Sequence, residues 1–244
     1  MKSTVDRHEK SPVPARVVAA EAAGCGAASD ARIVVGCSGG SDSTALVCLL
    51  SEAGYTDLVC AHLDHGLRDE EEARAEAGAV KELARRVGAR FESEAIDRGR
   101  LAAEARASGA SVEERARRSR YGFLARVCRR SGARFAAVGH TRDDQVETVL
   151  MRLLQGSDVE GMSGMRRCTG LPEAGDVAAA PGPSAGGPTT GQRSQGDPVT
   201  LIRPLLGLSR EELRGYLARR GVSYIDDPSN TDTRYLRNAV RRDI

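Results

Sequence analysis

The sequence has few aromatic residues: they account for 3% of its 244 residues, and tryptophan is missing. Apolar residues nevertheless reach 40%, so we expect a core built from alanine, valine, leucine and isoleucine. No apolar run approaches the length of a membrane span, and the N-terminus lacks the continuous apolar segment of a signal peptide. These absences predict a globular cytoplasmic protein with no membrane partner.

The cysteines lack the spacing of a metal or disulfide site. Six are present, but no two form a C-x-x-C pair, and several stand inside apolar runs, where cysteine behaves as a small hydrophobe. A reducing compartment fits this usage. The formal net charge of +2 does not by itself indicate nucleic-acid binding, which only local clusters of arginine could support.

Short apolar runs alternate with longer charged segments through most of the chain. The runs predict strands at 32–36, 58–63, 90–96 and 134–140. The charged segments predict helices at 41–54, 69–88, 111–132 and 143–156. This alternation predicts an α/β fold, a doubly wound and mostly parallel sheet with helices on both faces. Ser-x-x-Glu patterns predict capping boxes at two helix starts, Ser111 and Ser209.

Changes in composition suggest where the chain divides. Residues 1–30 are predicted to be an N-terminal extension with one amphipathic helix near Val17–Ala23, and residues 31–166 to form the main domain. Residues 167–199 are rich in proline, glycine and serine without periodicity, which predicts a disordered loop. Residues 200–244 are predicted to complete the domain and to add a small, mostly helical appendage.

The string SGGSDS at 38–43 joins the first predicted strand to its helix. The backbone N–H groups of Ser38, Gly39, Gly40, Ser41, Asp42 and Ser43, together with the helix N-terminus, would suit a phosphate. The loop matches neither G-x-x-x-x-G-K-[ST] nor G-x-G-x-x-G, and no lysine follows it. Asp42 is unsuited to phosphate itself but suited to holding Mg²⁺ against it. Taken alone, the string fits an ordinary strand-to-helix turn equally well.

Polar residues follow the second predicted strand as well. His62, Asp64, His65 and Arg68 are expected to converge on the same rim of the sheet as the first loop. One histidine there would more often be structural, but two histidines flanking an aspartate favour a functional site.

The helix predicted at 143–156 has two contrasting sets of residues. Five apolar residues at helical spacing predict a buried stripe, namely Val146, Val149, Leu150, Leu153 and Leu154. Asp144 and Glu147 are three positions apart and share the opposite face, toward the strand ends. We interpret this pair as functional and Asp143 as an acidic first-turn residue favoured by the helix dipole.

Arginines recur along one side of the helix predicted at 111–132. Arg115, Arg118 and Tyr121 lie on that side. Such a side is usually a solvated surface, but it could also contact phosphates of RNA or ATP. Arg118 is our candidate there for an active-site role.

Five separated strings resemble known proteins in the same order. SGGSDS after RIVVGC resembles the pyrophosphate loop (PP-loop) of the N-type ATP pyrophosphatases. AHLDHGLR at 61–68, GHTRDDQVETVLMRLLQGSDVEGMSGM at 139–165, RPLLG and DPSN resemble one family within that group, the tRNA(Ile)-lysidine synthetases. The resemblance covers roughly residues 32–166 and 200–242.

That resemblance implies a fold of the adenine nucleotide alpha hydrolase type and a two-step ligation. ATP, with Mg²⁺, would adenylate O2 of the wobble cytidine in the CAU anticodon of tRNA(Ile) and release pyrophosphate. Free L-lysine would then attack carbon 2 through its ε-amino group and expel AMP, forming lysidine.

The resemblance also implies roles for individual residues. The loop 38–43 would bind ATP, and Asp144 and Glu147 would bind lysine. Candidate catalytic residues are Asp42, His65, Arg118, His140 and Asp144, with Asp42 also the Mg²⁺ ligand. Either His140 or Asp144 could take the proton of the attacking amine, and the sequence does not choose between them.

The sequence differs from the family pattern in two respects, and two alternative functions stay open. The loop at 170–198 is long, and the C-terminal domains with which many lysidine synthetases grip tRNA are expected to be absent.

A homodimer is one expected assembly. The alternatives are another PP-loop enzyme, such as a cytidine thiolase, and a nucleotide-binding module without chemistry. The known thiolases generally use paired cysteines or an iron–sulfur cluster.

Overall fold

A computed structural model describes residues 13–154, 156, 163–171 and 198–226 of the chain. Its six strands are β1 (Ile33–Gly36), β2 (Leu58–Asp64), β3 (Arg90–Ala95), β4 (Phe135–Ala137), β5 (Cys168–Gly170) and β6 (Thr200–Ile202). The helices in this part are α1 (Val13–Gly24), α2 (Ser41–Glu52), α3 (Glu70–Val87), α4 (Arg100–Ser108), α5 (Val112–Ser131), α6 (Arg142–Leu154) and α7 (Arg210–Arg220).

The strands form one sheet in the order β3-β2-β1-β4-β6-β5. All neighbouring pairs are parallel except β5 and β6, which are antiparallel. Apolar side chains cover both faces of the sheet. Ile33 and Val35 of β1 belong to a core with α1, α2, α3 and α7, whereas Val34 packs on the opposite face with residues of α5. The predicted doubly wound, mostly parallel fold is therefore confirmed.

The strand order reverses direction at β1. From β1 the chain moves outward to β2 and β3, and it then returns to place β4 on the other side of β1. The segments that follow β1 and β4 consequently diverge at the carboxyl end of the sheet. In open α/β sheets, such a point is where ligands bind. The loop 38–43 and His140 both lie at this point.

The predicted burial of the α6 stripe is wrong. Val146, Leu153 and Leu154 are exposed, with 42%, 48% and 68% of their surface accessible. Val149 and Leu150 are only half-buried. The face that packs inward carries Asp144 and Glu147, which are 5% and 3% exposed. The helix is turned this way because Arg210 of α7 forms ion pairs with both acids.

Several elements differ from the predicted boundaries. Helix α4 lies in a stretch for which the sequence pattern predicted no element. Strand β5 lies at the start of the segment predicted as a loop, and residues 172–197 of that segment are outside the described residues. The helix predicted near Val17–Ala23 extends over Val13–Gly24 as α1, which packs on α2. Of the predicted C-terminal appendage, residues 227–244 are outside the described residues.

Removing a buried contact of α7 should destabilise the protein far more than removing an exposed residue of α6. Leu213 has no accessible surface, so Leu213→Ala should lower the free energy of unfolding by about 2–5 kcal/mol. Leu154→Ala is the matched control and should change it by less than about 0.5 kcal/mol. Urea denaturation followed by circular dichroism measures both values. Equal losses would contradict the outward orientation of the α6 stripe.

Candidate active site

The loop 38–43 is held in shape by its own hydroxyl groups. The hydroxyl of Ser43 donates to the carbonyl oxygen of Gly40 at 3.1 Å and accepts the backbone N–H of Ser38 at 3.3 Å. Gly39 has a φ of +85°, a left-handed conformation that favours glycine and lets the chain turn from β1 into α2. Contacts within the protein thus set the conformation of this loop.

Helix α2 starts without a side-chain cap. Its N-cap residue is Gly40, which makes no capping hydrogen bond through a side chain. By contrast, α3, α5 and α7 are capped by Asp69, Ser111 and Ser209, each accepting a backbone N–H three residues on. The first N–H groups of a helix carry partial positive charge and attract anions. The end of α2 therefore has the chemistry of a phosphate site.

Glycine also allows the segment after β4 to approach this helix end. A Cβ atom at Gly139 would lie 3.1 Å from the carbonyl carbon of Asp42 and 3.2 Å from the nitrogen of Ser43. Both are backbone atoms, so a larger residue would push the two segments apart. Gly139 therefore helps to place the neighbouring His140 beside the loop. The sequence analysis did not single out this glycine.

A cluster of opposite charges lies beside the loop, and we call it the Arg210 cluster. The guanidinium of Arg210 contacts Asp144 at 2.5 Å and Glu147 at 2.7 Å, and its Nε lies 3.5 Å from Asp42. The side chains of Asp144 and Glu147 are almost fully buried, and that of Arg210 is 20% exposed. Among the described residues, three carboxylates thus surround one guanidinium.

Burial and neighbouring charges shift the pKa values of Asp42 and Arg210 in opposite directions. Burial raises the pKa of Asp42, against the opposing effects of Arg210 and the Ser41 hydroxyl. Burial would lower the pKa of Arg210, but Asp144, Glu147 and Asp42 more than offset it and raise that pKa above its ordinary value. Arg210 is therefore charged near neutral pH.

Asp143 also contributes to this arrangement, although the sequence predicted only a favourable first-turn charge. Its carboxylate accepts the backbone N–H of Arg210 at 2.9 Å. Two consecutive acidic residues of α6 thus hold the start of α7, one through the backbone and one through the side chain of Arg210.

His140 is bound by a second buried arginine. The Nε of Arg203 donates to Nδ1 of His140 at 3.2 Å, and Arg203 is 7% exposed. Burial lowers the pKa of Arg203, while the Tyr121 side chain opposes that shift through a hydrogen bond. Tyr121 in turn lies under the guanidinium of Arg117, 5.0 Å from the ring centre.

One histidine lies within β2, where it contacts the residue before the loop, and a second follows that strand. His62 is 2% exposed, and its Nδ1–H donates to the carbonyl oxygen of Cys37 at 2.9 Å. Burial and the nearby Arg120 lower the pKa of His65 to about 4, although Asp64 opposes the shift. His65 is therefore neutral near pH 7. Arg68 forms an ion pair with Glu76 at 2.7 Å.

The predicted site residues are thus partly gathered in one place. The loop residues, Asp144 and Glu147 are linked through Arg210, and His140 follows a glycine that packs on α2. Arg118 is half-buried on α5, while the α5 residue joined to His140 through Arg203 is Tyr121. Sequence reasoning missed Arg203 and Arg210, although Arg203 opens the RPLLG string and Arg210 follows the capping Ser209.

The fold and the loop together define a class, the α/β proteins that bind nucleotide phosphates at the carboxyl end of the first strand. A sequence profile described as a PP-loop domain matches residues 15–244. The chain belongs to the PP-loop family.

Curated relatives point to one branch of that family. The chain is 36% identical over 178 residues to the tRNA(Ile)-lysidine synthase of Novosphingobium aromaticivorans, an alignment that covers 73% of this chain and 45% of the relative. It is 40% identical over 178 residues to the tRNA(Ile)-lysidine synthase of Thermus thermophilus, covering 73% of this chain and 28% of the relative. The chain therefore spans less than half the length of these relatives.

Solved structures share the fold at low sequence identity. The U34-tRNA thiolase NcsA from Methanococcus maripaludis, solved with its [4Fe-4S] cluster, aligns with a TM-score of 0.61 and 17% identity over 88% of this chain and 65% of that one. The NMN synthetase from Francisella tularensis aligns with a TM-score of 0.52 and 13% identity, covering 87% and 70%. These likenesses concern the fold alone. Within the described residues, none of the helices has the length and apolar character needed to cross a membrane.

Removing the Arg210 guanidinium should destabilise the protein and make its stability depend more strongly on pH. Arg210→Met leaves buried carboxylates without their counter-charge, and the free energy of unfolding should fall by about 3–5 kcal/mol near neutral pH. The pKa of Asp42, which burial already raises, would then lie further above its value in the unfolded chain. Because the folded variant binds more protons, its unfolding free energy should increase between about pH 8 and about pH 5.

Urea unfolding at several pH values measures this effect. Arg142→Met is the matched control, because Arg142 pairs with Glu212 on the surface at 3.5 Å with both side chains about half exposed. The control should cost less than about 1 kcal/mol. A loss that is the same at every pH would show that Arg210 does not compensate the buried acids.

Proposed function

We propose that this chain carries the catalytic domain of a tRNA(Ile)-lysidine synthetase. The observation that carries the proposal is the side-by-side placement of an uncapped helix N-terminus and a buried acidic cluster, which suits an anionic nucleotide beside a cationic amine. Relatives with the name tRNA(Ile)-lysidine synthase support this choice within the PP-loop family.

In the first step, O2 of the wobble cytidine attacks the α-phosphorus of ATP. A new P–O bond forms, the bond to the bridging oxygen breaks, and pyrophosphate leaves. The loop 38–43 and the end of α2 would bind the departing phosphates through backbone N–H groups, which stabilise the charge that develops on them. His65, Arg118 and His140 would contact the nucleotide or the cytidine from the surrounding rim.

Asp42 is the residue that would hold Mg²⁺. Among the described residues, no group of three or more histidine, cysteine, aspartate or glutamate side chains is placed to bind a metal. Mg²⁺ usually takes one or two carboxylates and completes its coordination with substrate phosphates and water, so one aspartate beside a phosphate loop fits. The ion, when bound, would neutralise negative charge on the phosphates.

In the second step, the ε-amino nitrogen of free L-lysine attacks carbon 2 of the adenylated cytosine. A C–N bond forms, the C–O bond breaks, AMP leaves, and the nitrogen loses a proton. Asp144 and Glu147 would bind the cationic substrate, because carboxylates are the natural partners of an ammonium group. Lysine would therefore share these carboxylates with Arg210.

The RNA partner follows from the same proposal. The target is the CAU anticodon loop of tRNA(Ile), where a single-stranded base can be turned outward. Arg115 and Arg118 on α5 would supply phosphate contacts. Cytoplasmic location and a homodimer belong to the proposal as well.

The two rival functions make different demands on the chain. A thiolase that carries sulfur on paired cysteines would be expected to have a C-x-x-C pair, and the sequence contains none. A binding module without chemistry would have no use for buried acids beside its phosphate loop. Neither rival requires free lysine.

The direct test is incorporation of lysine into RNA. The chain, incubated with ATP, Mg²⁺, radiolabelled lysine and unmodified tRNA(Ile), should transfer label to the tRNA. Asp42→Asn removes a charge without changing shape, and it should reduce pyrophosphate release by at least about 100-fold. Glu82→Gln, on the surface of α3, is the matched control and should match the wild type. No label in the tRNA, label transfer that does not require ATP, or an Asp42→Asn variant with normal activity would refute the proposal.

Glu147 should act in the lysine step more than in adenylation. Glu147→Gln keeps the shape but removes one negative charge from the lysine site, so the KM for lysine should rise about 10-fold or more. The rate of ATP–pyrophosphate exchange at saturating ATP should stay within about threefold of the wild type. An unchanged KM for lysine would remove Glu147 from the lysine site.

A further inference from the structure

The hydrogen bond between Arg203 and His140 has a chemical consequence for the reaction. A guanidinium has only N–H donors and stays protonated in proteins, so it cannot accept a hydrogen bond. When its Nε donates to Nδ1 of His140 at 3.2 Å, that ring nitrogen must present its lone pair. A neutral imidazole with a lone pair on Nδ1 carries its hydrogen on Nε2.

Arg203 is well fixed for this purpose. Its Nη1 donates to the backbone oxygen of Arg166 at 2.8 Å and lies 3.4 Å from the hydroxyl of Thr169. Its place follows from the sheet, because Ile202 of β6 pairs with Ala137 of β4. The residue that follows β6, Arg203, therefore lies beside the segment that leads from β4 to His140.

Asp144, the other candidate for the general base, also accepts hydrogen bonds within the protein. One oxygen of Asp144 accepts the backbone N–H and the hydroxyl of Thr141, at 2.8 and 3.1 Å. The second oxygen accepts Arg210 at 2.5 Å. Hydrogen bonds to a carboxylate favour its charged form and oppose uptake of a proton. Both groups that the sequence offered as bases are thus bound by donors.

We propose that Arg203 is a positioning residue that fixes the tautomer of His140, so that His140 acts as a hydrogen-bond donor through Nε2–H. The acceptor would be a substrate oxygen that gains negative charge during adenylation. This assignment rests on the proposed function for the identity of the substrate. It replaces the alternative in which His140 takes the proton of the attacking amine.

The tautomer is measured on the ligand-free, full-length chain by ¹⁵N NMR of histidine-labelled protein. His140 should show a pyridine-type Nδ1 and a pyrrole-type Nε2, with the signals assigned by their loss in His140→Gln. Arg203→Met should shift both signals toward a mixture of tautomers, whereas Arg130→Met, at an exposed position of α5, should leave them unchanged. A wild-type His140 with its hydrogen on Nδ1, or with both tautomers equally populated, would overturn the inference.

Three further variants keep the test decisive if Arg203→Met does not fold. Arg203→Lys retains a charged donor and should preserve more of the wild-type tautomer. His140→Gln supplies an amide N–H near the position of Nε2 but has no basic nitrogen, so pyrophosphate release should stay within about 10-fold of the wild type. His140→Ala removes the donor and should lose about 100- to 1000-fold.

Equal inactivity of His140→Gln and His140→Ala would contradict a donor role and support proton uptake. The NMR result does not depend on lysine or tRNA. Failure of lysidine formation would therefore refute the proposed function while leaving the tautomer assignment standing.

Discussion

The interaction on which the site depends is the contact of Arg210 with buried carboxylates of two other helices. Asp42 lies in the first turn of α2, and Asp144 and Glu147 lie on α6. Without a cation among them, these acids would repel one another, and their transfer out of water would be strongly unfavourable. Arg210 thus allows α6 to pack its acidic face inward and fixes the start of α7 beside the phosphate loop.

The sheet explains why these groups meet at one place. Strand order reverses between β1 and β4, so the loop after β1 and the segment after β4 share the same crevice. Gly139 permits close approach there, and the uncapped end of α2 gives the crevice a positive pole. The carboxylates around Arg210 lie next to that pole. Under the proposed function, a nucleotide and an amine would find complementary groups within a single crevice, as a ligation through an adenylate requires.

The sheet and the phosphate loop could largely be predicted from the sequence, because both depend on local patterns. The apolar runs predicted β1 to β4, and the string SGGSDS predicted the turn into α2. The burial of α6 was misjudged because a stripe of valine and leucine normally packs inward, and its acids became buried only through Arg210, which is distant in the sequence. The role of Arg203 was not predicted for a similar reason, since its contact with His140 arises from the pairing of β6 with β4. Long-range ion pairs of this kind leave no periodic signal along the chain.

The most direct test is a crystal structure of the chain with Mg²⁺ and α,β-methylene-ATP, which cannot release pyrophosphate. The account predicts that the β- and γ-phosphates bind the backbone N–H groups of residues 38–43 at the end of α2, with Asp42 facing them. Phosphates bound elsewhere on the protein, with this loop unchanged, would contradict it.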